Sequence, residues 1–424
     1  MSKFKKYYKV VNFLEGLDNS PAQRNYLADK HHSGIYLERM RYFLELLGNP
    51  DKDMKYIHIA GTSGKGTVTN MVHEILNIAN KNVGSFTSPS VVTSIEKIKV
   101  KDKYIDPNEF ARIVDYLRPF IEQARTKGPY GRLSYFEIFL AIALVYFKKQ
   151  KCEYVILETG LGGKYDATNI IESPVITAIT NIDYDHTELL GKTLKKIAND
   201  KAGIIKKNSI FFTAEQRPSL IKIFRDVCRK NKVSLNVISK QNSYQDYNKE
   251  LVTAIAKVLG IADKQILKGI DNAKLMCRFE IIQDKPTVIL DGAHNRSKIR
   301  TALTNLENVR YKKLYLIIGI AENKDHVSIL KQIIPKADYI FFTTLKSTNR
   351  EYLDPKNLFA KSKPYLKKKA WSEKVIDPNK ALSVALKTAN ASDAILVVGS
   401  FFLAGQLRKY WYPEELILQK RRAF

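Results

Sequence analysis

The sequence predicts an α/β protein with two domains, each built around a mostly parallel β-sheet. Three observations lead to this prediction: short apolar runs alternate with helical stretches, the runs are largely continuous, and the alternation is interrupted once, near residues 275–285. Strands of a parallel sheet that helices cover on both faces have such continuous apolar sequences. The chain of 424 residues is long enough for two or three domains.

Seven apolar runs are the predicted strands, and turns with glycine or acidic residues separate them from the predicted helices. The runs are Tyr56–Ala60, Tyr154–Leu157, Val175–Thr180, Thr287–Leu290, Leu314–Ile318, Tyr339–Thr343 and Ala394–Val398. A new series of strand, turn and helix starts at Pro286, after the interruption. We therefore predict one α/β domain over residues 1–284 and a second, smaller one over residues 285–424.

The composition is typical of a soluble globular chain, with 45% hydrophobic and 27% charged residues. The longest apolar stretch, Tyr135–Phe147, is too short to span a bilayer and contains Glu137. The N-terminus lacks the apolar segment of a secretory signal. The three cysteines are far apart and form no disulfide framework (Cys152, Cys228 and Cys277). We therefore expect a cytoplasmic monomer without a membrane partner.

The chain is strongly basic, since 70 Lys and Arg residues oppose 43 Asp and Glu residues and give a formal net charge of +27. Such a surface attracts polyanions, including nucleic acid. Alternatively, a lysine-rich surface solvates the fold and favours small anionic substrates. The basic runs are dispersed along the chain, and no zinc finger, RNP motif or repeat accompanies them. We favour the second interpretation and do not expect nucleic acid as the main partner.

A glycine-rich turn, Gly61–Thr67, separates the first predicted strand from a predicted helix. Glycines let backbone N–H groups approach phosphates, and the helix N-terminus and Lys65 add positive charge there. Thr67 offers a hydroxyl to Mg²⁺ or to a phosphate. The spacing departs from the common P-loop, because only two residues separate Gly61 from Gly64 and Gly66 precedes Thr67. We nevertheless predict that this turn binds a nucleoside triphosphate.

Acidic groups follow two of the predicted strands, at the edge where α/β sheets bind ligands. Glu158 ends one run, and Asp183, Asp185 and His186 follow another. A carboxylate beside a phosphate-binding turn is suited to Mg²⁺. Taken alone, His186 is better explained as a hydrogen-bonded structural residue, because Mg²⁺ prefers oxygen. Lys201, which follows on a predicted helix, is by composition alone an exposed or salt-bridged lysine.

These segments and several others resemble the folylpolyglutamate synthase/dihydrofolate synthase family, within the Mur ligase superfamily. The resemblance extends over almost the whole chain, and the order and spacing of its motifs are specific to the superfamily. The principal matches are GTSGKGT (61–67), TSP (87–89), ETGLGGKYDATN (158–169), DHTELLG (185–191), KAGIIK (201–206), LDGAHN (290–295) and GSFFLAG (399–405). LDGAHN together with TSP favours the folate branch over the peptidoglycan ligases.

The resemblance implies an N-terminal P-loop ATPase domain of the Mur-ligase type and a Rossmann-like, C-terminal glutamate-ligase domain. It also implies a reaction in which ATP, with Mg²⁺, phosphorylates a substrate carboxylate to an acyl phosphate. The amino group of L-glutamate then attacks, which yields an amide, ADP and phosphate. Phosphorylation is needed because a carboxylate is a poor electrophile, and preorganised cations stabilise the charge that develops. The implied carboxylate substrate is dihydropteroate, a folate or both.

The resemblance assigns roles residue by residue. The ATP phosphates contact Gly64, Lys65, Gly66 and Thr67. The Mg²⁺ ligands are Ser88, Glu158 and His186, and a carbamylated Lys201 completes a second metal site; Lys65, Glu158, His186 and Lys201 form the implied catalytic set. The remaining contacts to ATP come from Asn248 near the adenine, Arg278 and Asp291. The implied pterin-binding segment is Ser134, Tyr135, Phe136 and Glu137, with Asp166, Ala167 and Thr168 lining the same pocket. The implied contacts for glutamate are His294 and Ser400.

Some positions depart from the family pattern, and they gather in the loops expected to contact the folate. Lys97 and Lys164, for example, stand where the family usually has arginine, and lysine cannot bind a carboxylate in the bidentate manner of arginine. ATP-dependent amide ligation is therefore better supported than a folate substrate. Two alternatives stay open: a Mur-like ligase that acts on a different carboxylate, and a nucleotide-gated nucleic-acid-binding protein without turnover.

Overall fold

The computed structural model describes residues 3–17, 34–345 and 351–424, and they form two compact units. The first unit contains the described residues up to 274, except 91–93, together with 420–422; the second contains 91–93, 275–419 and 423–424. The border at 274/275 precedes the predicted border at 284/285. The reason is that Glu280–Asp284 forms a strand that pairs with Thr287–Leu290. No helix of the described ranges is long and apolar enough to cross a membrane.

The first unit is built on an eight-stranded sheet. Its strands are β1 (Lys55–Ala60), β2 (Val83–Phe86), β3 (Ile98–Val100), β4 (Lys103–Tyr104), β5 (Tyr154–Glu158), β6 (Ile176–Ile179), β7 (Ile210–Thr213) and β8 (Leu235–Val237). The strand order is β4-β3-β2-β5-β1-β6-β7-β8. Strands β2, β5, β1, β6, β7 and β8 are parallel, whereas β3 and β4 extend one edge in antiparallel pairing. The predicted mostly parallel sheet is confirmed.

Ten helices accompany this sheet in the described ranges. They are α1 (Lys5–Leu17), α2 (Ile35–Leu46), α3 (Lys65–Ile78), α4 (Pro107–Lys127), α5 (Tyr135–Lys149), α6 (Thr187–Leu190), α7 (Leu194–Lys201), α8 (Pro218–Asn231), α9 (Tyr244–Val258) and α10 (Asp263–Asn272). Local chemistry defines several of their starts: the Asp106 carboxylate accepts N–H groups at the start of α4, and Ser134 and Glu137 form a capping box on α5. The apolar stretch around α5 is thus a buried helix of the first unit.

The second unit is built on a six-stranded sheet in the order β13-β12-β11-β14-β10-β9. The strands are β9 (Glu280–Asp284), β10 (Thr287–Leu290), β11 (Leu314–Ile318), β12 (Tyr339–Phe342), β13 (Trp371–Lys374) and β14 (Ala394–Val398). The helices are α11 (Arg296–Leu306), α12 (His326–Ile333), α13 (Pro355–Ser362), α14 (Pro378–Thr388), α15 (Phe401–Arg408) and α16 (Glu414–Lys420). Only β9 is antiparallel to its neighbour, so the Rossmann-like prediction is confirmed.

All seven predicted runs are strands, and burial explains why their sequences are continuously apolar. In β11, Leu314, Leu316 and Ile318 belong to one apolar cluster, whereas Tyr315 and Ile317 belong to another. Successive side chains of a strand point to opposite faces, so these two clusters lie on the two faces of the sheet. A strand that is covered on both faces has no position for a solvated side chain.

The strand order determines where the site residues meet. Strand β1 lies between β5 and β6 at the centre of the first sheet, and all three are parallel. Their carboxyl ends therefore bring Gly61–Thr67, Glu158 and the segment that follows Ile179 to one edge. In the second sheet, β14 lies between β11 and β10, so Ser400 and the Asp291–His294 segment share an edge in the same way.

Candidate functional site

The turn between β1 and α3 is a tight connection that only glycine can make at two positions. Gly61 has φ +147° and Gly64 has φ +84°. A Cβ atom on Gly61 would lie 1.8 Å from Thr180 Oγ1, and one on Gly64 would lie 2.7 Å from Asn248 Oδ1. Neither a side chain nor an ordinary L-residue conformation fits here. The backbone at the N-terminus of α3 thus lacks a Cβ atom at both positions, which is the geometry that the sequence predicts for a phosphate-binding turn.

Hydrogen bonds from the segment after β6 hold this turn. Asn181 accepts the N–H of Thr62 on its carbonyl oxygen (2.9 Å) and the N–H of Ser63 on its side-chain Oδ1 (2.9 Å). Thr180 Oγ1 donates to the Ser63 carbonyl at 2.6 Å, and Asp183 N–H donates to Thr62 Oγ1 at 2.9 Å. Two strands separated by more than a hundred residues thus fix the shape of the turn.

The polar groups of the turn are arranged toward an anion. Lys65 begins α3, and its Nζ donates to the carbonyl of Gly61 at 3.1 Å, which holds the ammonium group over the turn. In the described chain, α3 has no side-chain cap on its first N–H groups. The buried Ser63 hydroxyl has no hydrogen-bond partner among the described residues. Uncapped N–H groups and a cation at a helix N-terminus form an anion-binding site.

Asn248, on the first turns of α9, lies against the phosphate-binding turn rather than at a distance from it. Its side-chain Oδ1 and Nδ2 lie 2.7 Å and 3.2 Å from the position that a Cβ atom on Gly64 would occupy. The resemblance implied a position near the adenine for Asn248. The structure adds that it faces the glycine at which α3 begins, where it also prevents any larger residue from replacing Gly64.

The structure gives direct contacts for three of the predicted metal ligands. Ser88 N–H donates to Glu158 Oε2 at 3.2 Å, so these two residues are in contact, and Glu158 is buried. His186 has φ +49°. Its Nε2 lies 3.9 Å from Asp185 Oδ1, and its Nδ1 lies 3.8 Å from Glu188 Oε1. Within the described ranges, no three His, Cys, Asp or Glu side chains form a metal-binding group.

Lys201 ends α7 and is almost entirely buried, with Nζ 3.5 Å from the carbonyl oxygen of Gly162. Burial, together with repulsion from the Lys65 ammonium, lowers the pKa of Lys201 to about 7, against the attraction of Asp200, Asp185 and Asp166. A substantial fraction of this amine is therefore unprotonated near neutral pH. An unprotonated lysine amine is a nucleophile, which composition alone gave no reason to expect.

In the predicted pterin-binding segment, Glu137 is fully engaged within the protein. Its Oε1 accepts Arg39 Nε at 3.0 Å, and its Oε2 accepts Arg39 Nη2 at 2.9 Å and the Ser134 N–H at 2.6 Å. The carboxylate thus fixes the N-terminus of α5 instead of pointing to a ligand. Tyr135 and Phe136 are placed differently: Lys97 Nζ lies 3.0 Å from the Tyr135 hydroxyl, and the Phe136 ring packs against Gly160.

Asp166, Ala167 and Thr168 are buried and brace the glycine turn that follows Glu158. Asp166 Oδ2 accepts the Leu161 N–H at 2.8 Å, and Oδ1 accepts the N–H of Thr168 at 3.0 Å and its hydroxyl at 2.5 Å. Burial raises the pKa of Asp166. The resemblance implied that these residues line the pterin pocket, and the hydrogen bonds of Asp166 also hold the backbone of the turn.

In the second unit, Asp291 closes the turn after β10. Its Oδ2 accepts the Phe279 N–H at 3.0 Å, and its Oδ1 accepts the Ala293 N–H at 2.7 Å. Burial raises the pKa of Asp291 to about 6. Arg278 stands beside this turn, with its guanidinium carbon 5.2 Å from the centre of the Phe401 ring. Both residues are thus fixed by contacts within the second unit.

The two predicted glutamate contacts lie on neighbouring turns of the second sheet. The Gly399 N–H donates to the Ala293 carbonyl at 2.8 Å, which joins the turn of Ser400 to that of His294. His294 Nδ1 lies 2.8 Å from the Gly292 carbonyl, and its Nε2 lies 3.3 Å from Lys298 Nζ. The Ser400 hydroxyl caps α15 and lies 2.8 Å from the Tyr352 hydroxyl.

Two family models match the chain: the Mur ligase middle domain over residues 122–266 and the glutamate ligase domain of Mur ligases over residues 277–401. Among curated proteins, the chain is 28% identical over 413 residues to the dihydrofolate synthase/folylpolyglutamate synthase of Bacillus subtilis, covering 88% of this chain and 94% of that protein. It is 25% identical over 409 residues to the folylpolyglutamate synthase of Lacticaseibacillus casei, covering 88% and 93%.

Solved structures agree. The folylpolyglutamate synthase of Thermotoga maritima matches with a TM-score of 0.76 at 28% identity, covering 91% of this chain and 95% of that one. The bifunctional folylpolyglutamate synthase/dihydrofolate synthase of Yersinia pestis matches with a TM-score of 0.77 at 25% identity, covering 93% and 99%. The chain has the middle and glutamate ligase domains of the Mur ligases, and these relatives are folylpolyglutamate or dihydrofolate synthases. It is thus a ligase that forms carbon–nitrogen bonds.

The sequence analysis missed several residues that support the candidate site of this ligase. Arg39 contacts Glu137, and His58 contacts Thr168. Lys298 contacts His294, and Tyr352 contacts Ser400. Lys298 could have been found, since it lies one helical turn after His294. The other three come from distant segments, and the single available signal was a histidine, His58, in an otherwise apolar strand.

Proposed function

We propose that the chain is a Mg²⁺- and ATP-dependent ligase that adds L-glutamate to dihydropteroate, to a folate or to both, through an acyl phosphate. One observation carries the proposal: the glycine turn before α3 leaves backbone N–H groups and Lys65 toward an anion, next to the buried Lys201. The named functions of the relatives support the same reaction, and one related structure, 25% identical with a TM-score of 0.77, has Mn, AMPPNP and L-glutamate bound.

The nucleotide would lie with its terminal phosphates on Gly64, Lys65, Gly66 and Thr67. The residues fit this group, because a Cβ atom would fill the cradle at Gly64 and because the buried Ser63 hydroxyl has no partner in the described chain. The ammonium of Lys65 would stabilise the charge that develops on the transferred phosphoryl group. Asn248 contacts the same turn and would limit the position of the nucleotide from the α9 side.

A divalent metal would be held by Ser88, Glu158 and His186, with Lys201 as a carbamate. Ser88 and Glu158 offer the oxygen donors that suit a hard cation, and a carbamate on Lys201 would add carboxylate-like oxygens. In carbamylation the unprotonated Nζ attacks the carbon of CO₂, an N–C bond forms, and one proton leaves to solvent. The shifted pKa of Lys201 favours this step, and the buried Asp200 Oδ1, which has no hydrogen-bond partner among the described atoms, is an acceptor nearby in sequence. Bound metal would neutralise phosphate charge.

In the second unit, Arg278 and Asp291 would contact ATP, and His294 and Ser400 would contact the incoming L-glutamate. Lys298 would add a positive charge beside His294, which suits a dicarboxylic amino acid. In the first unit, Tyr135 and Phe136 with Lys97 would contact the carboxylate substrate. These assignments are the ones that the resemblance implies, with Lys97 and Lys298 added because they contact Tyr135 and His294.

A second candidate is a Mur-like ligase that joins an amino acid to another carboxylate. It is favoured by Lys97, which stands where the family usually has arginine. Lys97 contacts Tyr135 in the expected substrate segment. A substrate panel distinguishes the two. ADP release should be measured with glutamate and pteroate, tetrahydrofolate or UDP-muramyl compounds. If neither pteroate nor tetrahydrofolate supports ADP release, the first candidate is contradicted. ADP release that requires a UDP-muramyl substrate would establish the second.

A further inference from the structure

A buried histidine connects the centre of the first sheet to the turn that follows Glu158. His58 lies in the middle of β1 and is fully buried. Its Nε2 lies 2.7 Å from Thr168 Oγ1, although 110 positions separate the two residues. Thr168 Oγ1 in turn lies 2.5 Å from Asp166 Oδ1. The three side chains therefore form a continuous chain of hydrogen bonds inside the protein.

The direction of these hydrogen bonds follows from the number of protons. The Asp166 carboxylate accepts backbone N–H groups from Leu161 and Thr168. A carboxylate can only accept hydrogen bonds, so the Thr168 hydroxyl donates its single proton to Asp166 Oδ1. The Thr168 oxygen then accepts a proton from its other neighbour, which must be His58 Nε2–H. His58 Nδ1 is buried and has no partner among the described residues, as expected for the bare nitrogen of this tautomer.

The electrostatic environment keeps His58 neutral. Burial, with a further contribution from the Lys206 ammonium, lowers the pKa of His58 to about 3. A neutral imidazole with its proton on Nε2 is thus a fixed donor over the whole physiological pH range. It cannot act as an acid or base in this pH range, so any role that it has is one of orientation.

The far end of the hydrogen-bond chain is the backbone of Gly160–Gly163, which lies between the candidate ligands. Asp166 Oδ2 accepts the Leu161 N–H, three residues after Glu158. On its other side, a Cβ atom on Gly163 would lie 2.8 Å from Lys201 Cα, and the Lys164 N–H donates to the Asp200 carbonyl at 2.9 Å. The turn thus packs directly on the end of α7 where Lys201 lies.

We propose that His58 is a positioning residue of the metal–nucleotide site: through Thr168 and Asp166 it fixes the Gly160–Gly163 turn, and with it the relative position of Glu158 and Lys201. The inference rests on the proposed function for the identity of the ligand, a divalent metal with a nucleotide. The hydrogen-bond chain itself does not depend on that function. His58 contributes no ligand atom and acts through two other side chains.

Two pairs of variants test the hydrogen bonds while preserving shape. His58→Phe removes the donor and His58→Gln can restore one near the Nε2 position; Thr168→Val removes the hydroxyl and Thr168→Ser restores it. His73→Phe is the matched control, because His73 is a second fully buried histidine of the same unit, bonded to the Lys101 carbonyl. Each variant is titrated with Mn²⁺ in the presence of ADP by calorimetry, and its steady-state kinetics are measured.

The expected result is a dissociation constant for Mn²⁺ that rises about ten- to a hundredfold in His58→Phe and Thr168→Val, as is typical when a group that orients metal ligands is lost. The KM for the carboxylate substrate should stay unchanged, and Thr168→Ser and His58→Gln should recover most of the affinity. Equal Mn²⁺ affinity in wild type, His58→Phe and Thr168→Val would overturn the proposal. It would also be overturned if both donor-restoring variants, or His73→Phe, lost as much Mn²⁺ affinity as the donor-removing variants.

Hydrogen exchange separates this inference from the proposed function. The Leu161 amide should exchange faster in Thr168→Val and His58→Phe than in wild type, with protection restored in Thr168→Ser, whether or not a nucleotide binds. A wild-type protein that binds neither ADP nor Mn²⁺ would contradict the proposed function, and the Leu161 amide would still decide the role of His58. Unchanged protection in both donor-removing variants would overturn that role.

Discussion

Arg39 on α2 and Glu137 on α5 form a buried, two-pronged ion pair across 98 positions of sequence. The same carboxylate accepts the Ser134 N–H and so completes the capping box at the start of α5. One acidic side chain thus ties two helices together and places Tyr135 and Phe136, the two residues of that segment that we propose for substrate contact.

Loss of one partner of this pair should destabilise the first unit strongly. Arg39→Met leaves a buried carboxylate without its cation, which costs about 3–5 kcal/mol in the free energy of unfolding. Arg39→Met/Glu137→Leu should be less destabilised than Arg39→Met, because it removes both charges. Urea denaturation followed by circular dichroism measures the difference. Arg125→Ala, in the exposed Arg125–Glu122 pair, is the control and should change little. Equal stability of Arg39→Met and wild type would contradict the ion-pair argument.

Lys65→Ala should reduce kcat by about a hundredfold or more with the fold preserved, because the ammonium that stabilises the transferred phosphoryl group is lost. The measurement is ADP release at saturating ATP, with circular dichroism as the test of folding. Lys127→Ala, an exposed lysine at the end of α4, is the matched control and should retain full activity. Unchanged turnover in Lys65→Ala would remove the phosphate-binding assignment.

Gly64→Ala should weaken nucleotide binding through the backbone. An alanine at φ +84° costs about 1–2 kcal/mol, and its Cβ would collide with Asn248. We expect at least about a tenfold rise in the dissociation constant for ADP, measured by calorimetry. Gly16→Ala lies in α1 with no atom near the added methyl group and should bind ADP as wild type does. Tight ADP binding by Gly64→Ala would show that the turn tolerates a side chain.

Lys201 should form a carbamate. Protein equilibrated with ¹³C-bicarbonate should give a carbamate signal in the ¹³C NMR spectrum that is missing in Lys201→Ala, because the buried amine has a pKa of about 7 and is a nucleophile. Lys195→Ala, on the same helix, is the control and should keep the signal. An identical spectrum for wild type and Lys201→Ala would contradict the carbamate and leave Lys201 without a role as a metal ligand.

Acid should destabilise the protein in part through His58. In the unfolded chain His58 takes up a proton near its ordinary pKa of 6.5, whereas in the folded chain burial lowers its pKa to about 3. Between these values the unfolded state binds more protons, so stability falls as pH decreases, by up to about 1.4 kcal/mol per pH unit. The slope of unfolding free energy against pH from 6.5 to 4 should be smaller in His58→Phe. Parallel curves would contradict a neutral, buried His58.

The strands and the phosphate-binding turn could be predicted because their causes are local. Continuous apolar runs such as Leu314–Ile318 can satisfy burial only inside a sheet, and the glycines of Gly61–Thr67 are needed for the backbone geometry of the turn itself. The roles of Glu137 and Asp166 could not be predicted in the same way. Both belong to motifs, but whether a carboxylate faces a ligand or a backbone N–H depends on which neighbours the fold supplies.

The sequence by itself determined the two α/β sheets, the glycine turn before α3 and the Mur ligase domains, since these follow from apolar patterning and from short motifs. Only the tertiary structure decided which of the motif residues are engaged within the protein. Arg39 meets Glu137 and His58 meets Thr168 across about a hundred positions each. The physical reason is that a buried polar group must find its partner in space, and the strand order, not the spacing along the chain, determines what lies within hydrogen-bond distance.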